Sequence, residues 1–219
     1  MRAVEGAWRR FCESPILRRV MIASQAKLDR RAKARSATRA AILEAARRVA
    51  TREGARNLSL RAAAAEAGFA PAALYGYFGN KDELLLALAA DDLGVIARAM
   101  RSAAASNGAK SPLAAAAAAA LALLQQTESI AAASSALPRI AGAGEAERIF
   151  NGRLIAALGV LADATGRNAE SRAAQIEVVL LATTLTGLAM FARSGRLAAL
   201  GFATDELVAQ LDARFSDAL

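Results

Sequence analysis

The stretch LSLRAAAAEAGFAPAALYGYFGNKDELLLAL (58–88) decides the fold class, because it punctuates itself into short helices. Ser59 is a good helix N-cap, since its hydroxyl accepts a hydrogen bond from a free amide of the first turn. Arg61 to Ala67 continue a helix that Gly68 closes. Pro71 stands where a helix favours its first residue. The run Ala72-Ala73-Leu74-Tyr75-Gly76-Tyr77 predicts a further short helix ending near Phe78-Gly79. Asn80 then caps a longer helix, with Asp82 in the first turn and Glu83 as its capping-box partner. Two short helices joined by a glycine turn and followed by a longer one describe a helix-turn-helix.

Upstream, Ile42, Ala46, Val49 and Ala50 fall at i, i+4, i+7 and i+8, which predicts a helix from about Thr38 to Glu53, ended by Gly54. Residues 1–36 carry Arg9, Arg10, Arg18, Arg19, Arg30, Arg31, Lys33 and Arg35 without a sustained apolar stripe. They read as a loosely ordered basic arm. Such an arm could follow phosphates or enter a minor groove, or be a solvated tail; Met21 offers an alternative start. Downstream everything reads as helix. The longer helix runs to about Ala104, and Ser111-Pro112 opens a fifth that ends near Gln126. A short sixth stops at Pro138, with a loop at Gly142 and Gly144. Three more cover Glu145–Ala164, Ala169–Ser194 and Thr204–Phe215. No strand-like alternation interrupts them, so the expected fold is all-α with about nine helices. The expected organisation is an arm (1–36), a helix-turn-helix domain (37–88) and a helical domain (89–219).

Charge separates the two halves. Residues 1–90 carry 17 Lys/Arg and 8 Asp/Glu, a balance of +9, whereas residues 91–219 carry 11 and 12, a balance of −1. A basic module on a near-neutral helical body is the footprint of a nucleic-acid binder. The chain has no histidine, which removes the commonest general base and metal ligand. No nucleophile–base constellation or phosphate-cradling glycine loop appears, so neither enzymatic activity nor a cofactor or metal is expected. The single Cys12 cannot form an internal disulfide, which fits a reducing compartment. The apolar runs Leu113–Leu124 and Ile176–Phe191 are shorter than the roughly 20 residues of a membrane helix. The expected setting is therefore the cytoplasm, on the bacterial nucleoid and away from the membrane.

The segments TRAAILEAARRVATREG (38–54) and 58–88 resemble the DNA-binding domain of the TetR family of bacterial regulators. The most telling part is Leu74-Tyr75-x-Tyr77-Phe78-x-Asn80-Lys81-x-x-Leu84-Leu85, which is similar to the family's "LY-x-(H/Y)-F-x-x-K-x-x-L". The resemblance implies that Ser59, Arg61, Pro71, Ala72, Ala73, Tyr75, Gly76, Tyr77 and Lys81 face DNA. Physically, a short helix offers its exposed residues to major-groove base edges while the preceding helix crosses the backbone. Two departures stand out. Ala70 replaces the usual hydroxyl N-cap of the recognition helix, and Ala73 stands where threonine is frequent. A surface this poor in donors would lean on thymine-methyl contacts and DNA shape.

For the remainder, the resemblance implies a ligand-sensing and dimerising domain, and hence a homodimeric repressor on a palindromic double-stranded operator, released by a small neutral or hydrophobic ligand. An activator, or a DNA-binding protein independent of ligand, fits the same pattern. Ile176, Val179, Leu180, Thr183, Gly187, Leu188 and Phe191 supply an apolar-plus-small face for the dimer, with Ala198, Leu200, Leu207 and Leu211 on the following segment. Expected ligand-lining residues are Leu121, Gln125, Phe150, Leu154, Thr184, Met190 and Phe191.

Overall fold

The structure, a computed structural model, describes residues 15–106, 108, 111–136, 144–166 and 171–216. They form ten helices and no strand. These are α1 (Pro15–Glu53), α2 (Leu60–Ala67), α3 (Pro71–Leu74), α4 (Lys81–Ala104), α5 (Pro112–Leu124), α6 (Ser129–Ala136), α7 (Glu145–Ala164), α8 (Arg172–Arg193), α9 (Arg196–Ala199) and α10 (Thr204–Ser216). The all-α architecture is the expected one. The tenth helix is α9, a single turn between Gly195 and Gly201, both at positive φ. Cys12, the helix stop at Pro138 and the loop at Gly142 lie outside the described residues, as does the expected helix start at Ala169.

Two expectations are corrected in the N-terminal half. The basic arm is not loose from residue 15 onward: α1 spans 39 residues and begins at Pro15 rather than near Thr38. Residues 27–37 are all exposed, so no apolar stripe was needed there and none marked the helix. Alanine, arginine, lysine and leucine carry it by propensity. The recognition helix is shorter than expected. Regular α-helix stops at Leu74, and the chain winds on in tighter turns, with Gly76 N–H donating to Ala73 and Tyr77 N–H to Leu74. Ala70 has no side chain to cap the start, and Gly76 weakens the continuation.

The reader has its own core, in which Ile42, Val49, Leu58, Leu74, Phe78, Leu84 and Leu88 are buried. The caps are those read from sequence. Ser59 Oγ accepts from Ala62 N–H, and Asn80 Oδ1 accepts from Glu83 N–H while the Glu83 carboxylate accepts from Gly79 N–H. Gly68 closes α2 at φ 72°, a left-handed conformation that favours glycine.

The C-terminal helices enclose a second core around α4, which packs on α5, α6 and α7. Leu86, Leu93, Ile96 and Met100 of α4 meet Leu113 and Leu121 of α5, Phe150 and Leu161 of α7, and Leu181 and Leu185 of α8. The expected boundary at residue 88 therefore falls inside one continuous helix that serves both cores. By length and composition α8 could cross a membrane: it has 22 residues with mean hydropathy 1.6, longer than the sixteen-residue run seen in sequence. Its inner face, Ala174, Val178, Leu181, Leu185 and Ala189, is buried in the bundle. Its outer face, Ile176, Val179, Leu180, Met190 and Phe191, is exposed.

Candidate nucleic-acid interface

The residues predicted to face DNA gather around α2, α3 and the start of α4. Pro71, Ala72, Ala73 and Gly76 are exposed, and Tyr75 projects furthest, with 63% of its surface accessible. Arg61 is exposed on the first turn of α2. Ser59, half-buried, spends one acceptor lone pair on the cap, which does not use its hydroxyl hydrogen. The tyrosines diverge as their spacing requires. Tyr77 is half-buried and packs against the reader core, so Tyr75 is the outward ring. Lys81 is half-buried as well, and its ammonium donates to the Arg56 carbonyl at 2.5 Å. An ammonium has three donors, so this bond holds the head beside the α1–α2 loop without exhausting it.

Two cations at this surface carry roles that sequence reasoning did not assign. Arg35 Nη2 donates to the Gly76 carbonyl at 2.6 Å, and its guanidinium lies over the Tyr77 ring at 4.8 Å. Arg39 stacks over Phe78 at 5.0 Å. Cation–π contacts of this kind contribute about 0.5–1 kcal/mol at exposed sites. They tie α1 to the recognition turn across forty residues of sequence. The basic count drew attention to Arg35, but nothing local in the sequence pairs it with Gly76.

A surface clamp fixes α1 against α2. Glu66 accepts from Arg48 Nε at 2.7 Å and from Arg52 Nη1 at 3.2 Å. Hydrogen bonds from Arg48 and then Arg52 hold its carboxyl below the ordinary 4.5. The unfolded chain thus binds a proton more readily than the folded one, and stability rises with pH across that interval. The contribution is complete above about pH 4.5 and is lost as pH falls through the lowered folded value. We expect Glu66→Gln to lower the urea midpoint at pH 7 and to lower it less at pH 3. An equal loss at both pH values would show that the carboxylate charge is not what the clamp uses.

The reader meets the bundle at a buried carboxylate. Asp92, 8% exposed on α4, accepts from Arg47 Nη2 of α1 at 2.7 Å and Nε at 3.2 Å. It also accepts from Thr127 Oγ1 at 2.9 Å and from Ser129 Oγ. Arg47 reaches Asp91 at 2.8 Å and Glu44 besides. Burial opposes the charge on Arg47, but hydrogen bonds to Asp91 and Asp92 outweigh it and raise the pKa above the ordinary arginine value. Beside this network Arg193 of α8 donates to the Thr127 carbonyl at 2.9 Å. Together they border a cavity of about 780 Å³, lined also by Leu88, Val95, Ile96, Leu123 and Glu128.

Three of the expected ligand-lining residues share the bundle core, and the other four lie outside it. Leu121 and Phe150 are buried in the bundle core, with Leu154 packed against it. Gln125 is half-buried at the end of α5, whereas Thr184, Met190 and Phe191 are exposed on α8. None lines the junction cavity or the groove of about 520 Å³ between α7 and α8. Met190 lies about 140° around α8 from the buried Leu185, so apolar character on this helix does not by itself mean inward orientation.

A compact reader with a glycine turn, an exposed recognition segment and a supporting helix shared with a second core defines a helix-turn-helix DNA-binding protein. Residues 42–88 match the bacterial regulatory proteins of the tetR family. The whole chain has the fold of solved structures from that family. A TetR family transcription regulator from Marinobacter aquaeolei VT8 superposes with TM-score 0.56 at 19% identity, covering 83% of this chain and 95% of that one. A protein of unknown function from Rhodococcus sp. RHA1 gives TM-score 0.62 at 25% identity, over 83% and 95%. The transcriptional regulator FadR from Bacillus subtilis, in complex with stearoyl-CoA, gives 0.56 at 16% identity, over 82% and 98%. None of the curated proteins compared with the chain matches it in sequence. Residues 42–88 are thus a DNA-binding domain of the tetR type, on a chain with the fold of solved TetR-family regulators.

Proposed function

We propose that this regulator is a homodimeric repressor that reads a palindromic operator and is released from it by a small molecule. The observation that carries the reading is the recognition surface itself. Tyr75 and the small residues Pro71, Ala72 and Ala73 stand outside a reader whose core is otherwise closed. Small side chains admit close approach to thymine methyls, Tyr75 supplies a hydroxyl and a ring, and Lys81 and Arg61 supply charge for phosphates. One short segment reads few base pairs, and two held about 34 Å apart read successive major grooves.

The ligand acts at the junction cavity, because that space touches the reader and the bundle at once. Its charged walls, Arg47 and Arg193 against Asp92 and Glu128, sum to zero, and the rest is largely apolar, which suits a neutral amphiphile. A ligand there would favour one setting of α1 against α4 and shift the population accordingly. A solved structure of the same fold, FadR from Bacillus subtilis, is in complex with stearoyl-CoA, which carries a long apolar chain.

Selection of duplexes from a random pool tests the DNA reading. A palindrome should emerge, Tyr75→Ala should weaken binding to it about tenfold, and Lys81→Gln should reduce the salt slope by about 1 while sparing sequence preference. Recovery of no common sequence, or wild-type affinity in both variants, would defeat it.

A further inference from the structure

The geometry points to a second DNA contact, made by the N-terminal extension of α1 along the phosphates that flank the recognition site. This inference rests on the DNA-binding reading above and adds to it a surface that the reader domain itself does not contain. Three observations carry it. First, α1 does not end where the reader ends: residues 27–37 continue as helix with every residue exposed, so the extension belongs to neither hydrophobic core. Second, its cations are arranged. Lys27, Arg31 and Arg35 are spaced i, i+4 and i+8. At about 100° per residue they fall within roughly 80° of one another, and Arg30 lies about 60° to one side. Asp29 falls about 200° from Lys27, on the opposite face. Third, the orientation of that stripe is fixed at one end. Arg35 is seated on the Gly76 carbonyl and over the Tyr77 ring. The face it occupies is thus the face turned toward the recognition turn.

Continuing that face outward from Arg35 places Arg31 and then Lys27 at about 6 and 12 Å along the helix axis. The second contact requires that a duplex seated on Tyr75 carry its flanking strand past this line. The stripe meets a polyanion with charge complementarity and without base-reading groups, so its contribution is to affinity and register, independent of flanking sequence. A solvated helix could carry the same net charge. It would not need Lys27, Arg31 and Arg35 aligned on the side of the recognition turn; Lys33 shares the opposite side with Asp29.

The test uses the full chain and the palindrome selected by the wild-type protein, once blunt at the half-sites and once with ten base pairs added at each end. Lys27→Gln with Arg31→Gln keeps strong helix formers at both positions, and circular dichroism checks that helicity is retained. On the extended duplex the double variant should lose about 1.8 from the slope of log affinity against log salt per protomer, two phosphate contacts' worth. It should match wild type on the blunt duplex, and changing the flank sequence should leave the effect unaltered. A wild-type slope in the variant on the extended duplex overturns the second contact while leaving the reader intact. Failure of the wild-type protein to select or bind any duplex overturns the DNA reading itself.

Discussion

Leu180→Glu is expected to convert the protein into a monomer whose affinity for its operator falls by about a hundredfold or more. Leu180 is 54% exposed, in the middle of the outer face of α8. Ile176 and Val179 flank it, and Ile155 of α7 stands beside it across the 520 Å³ groove. So many large apolar side chains on one helix face are left about half exposed by the described residues, and Met190 and Phe191 extend the patch toward the helix end. Contiguous exposed apolar patches mark association surfaces. A two-fold interface doubles each side chain's contribution, at about 25 cal/mol per Å² of apolar area removed from water. A glutamate here would enter that interface twice, unpaired and near its own copy, at a cost of several kcal/mol. Since about 1.4 kcal/mol is a factor of ten, a hundredfold weakening of the dimer is the modest end of the range.

Loss of the dimer then propagates to DNA on the proposed reading, in which two recognition segments at fixed separation read the operator. Sedimentation should show a monomer, and titration of the selected palindrome should show binding reduced to that of a half-site. Leu180 is outside the bundle core, so the protomer's helicity should survive. A dimer with unchanged operator affinity would mean that the subunits meet elsewhere.

The reader was legible because its determinants are local. Ser59, Gly68, Pro71 and Asn80 each act on the turn in which they stand, and the structure uses each of them as its chemistry dictates. Helices α4, α5 and α7 likewise begin where their caps or first-turn residues predict. What stayed hidden depends on partners far away in sequence. Over residues 27–37 the extension of α1 is exposed throughout and carries no apolar stripe, so a reading keyed to periodicity passes over it. The seat of Arg35 on Gly76 spans 41 residues, and the bond from Arg47 to Asp92 spans 45. The orientation of the side chains on α8 stayed hidden for a related reason. Apolar residues on a helix that is buried on one face and exposed on the other look alike in composition, and only the neighbours decide which ones point inward.

Asp92→Ala should lower stability by about 2–3 kcal/mol and also loosen the reader on its support, which a plain packing defect would not do. Asp92 is where three elements are tied by one carboxylate: α1 through Arg47, α4 through its own backbone, and the start of α6 through Thr127 and Ser129. Its removal leaves Arg47 with Asp91 and Glu44, so the guanidinium is not orphaned and the loss stays below that of breaking a fully buried pair. Ser129, 2% exposed, loses its carboxylate acceptor but keeps Thr127 at 3.0 Å. Asp92→Asn should fall between, retaining shape and one acceptor while surrendering the charge that draws Arg47 inward. The mechanical consequence can be read separately. Spin labels on Ala72→Cys, in a Cys12→Ser background, report the distance between the two recognition segments of a dimer. With Asp92 present that distribution should be narrow. With Asp92→Ala it should broaden, and operator affinity should fall further than the stability loss at the assay temperature explains. A destabilised variant that keeps a narrow distribution and full affinity would reduce Asp92 to a core-filling acid and remove the junction from any account of how a ligand reaches the DNA.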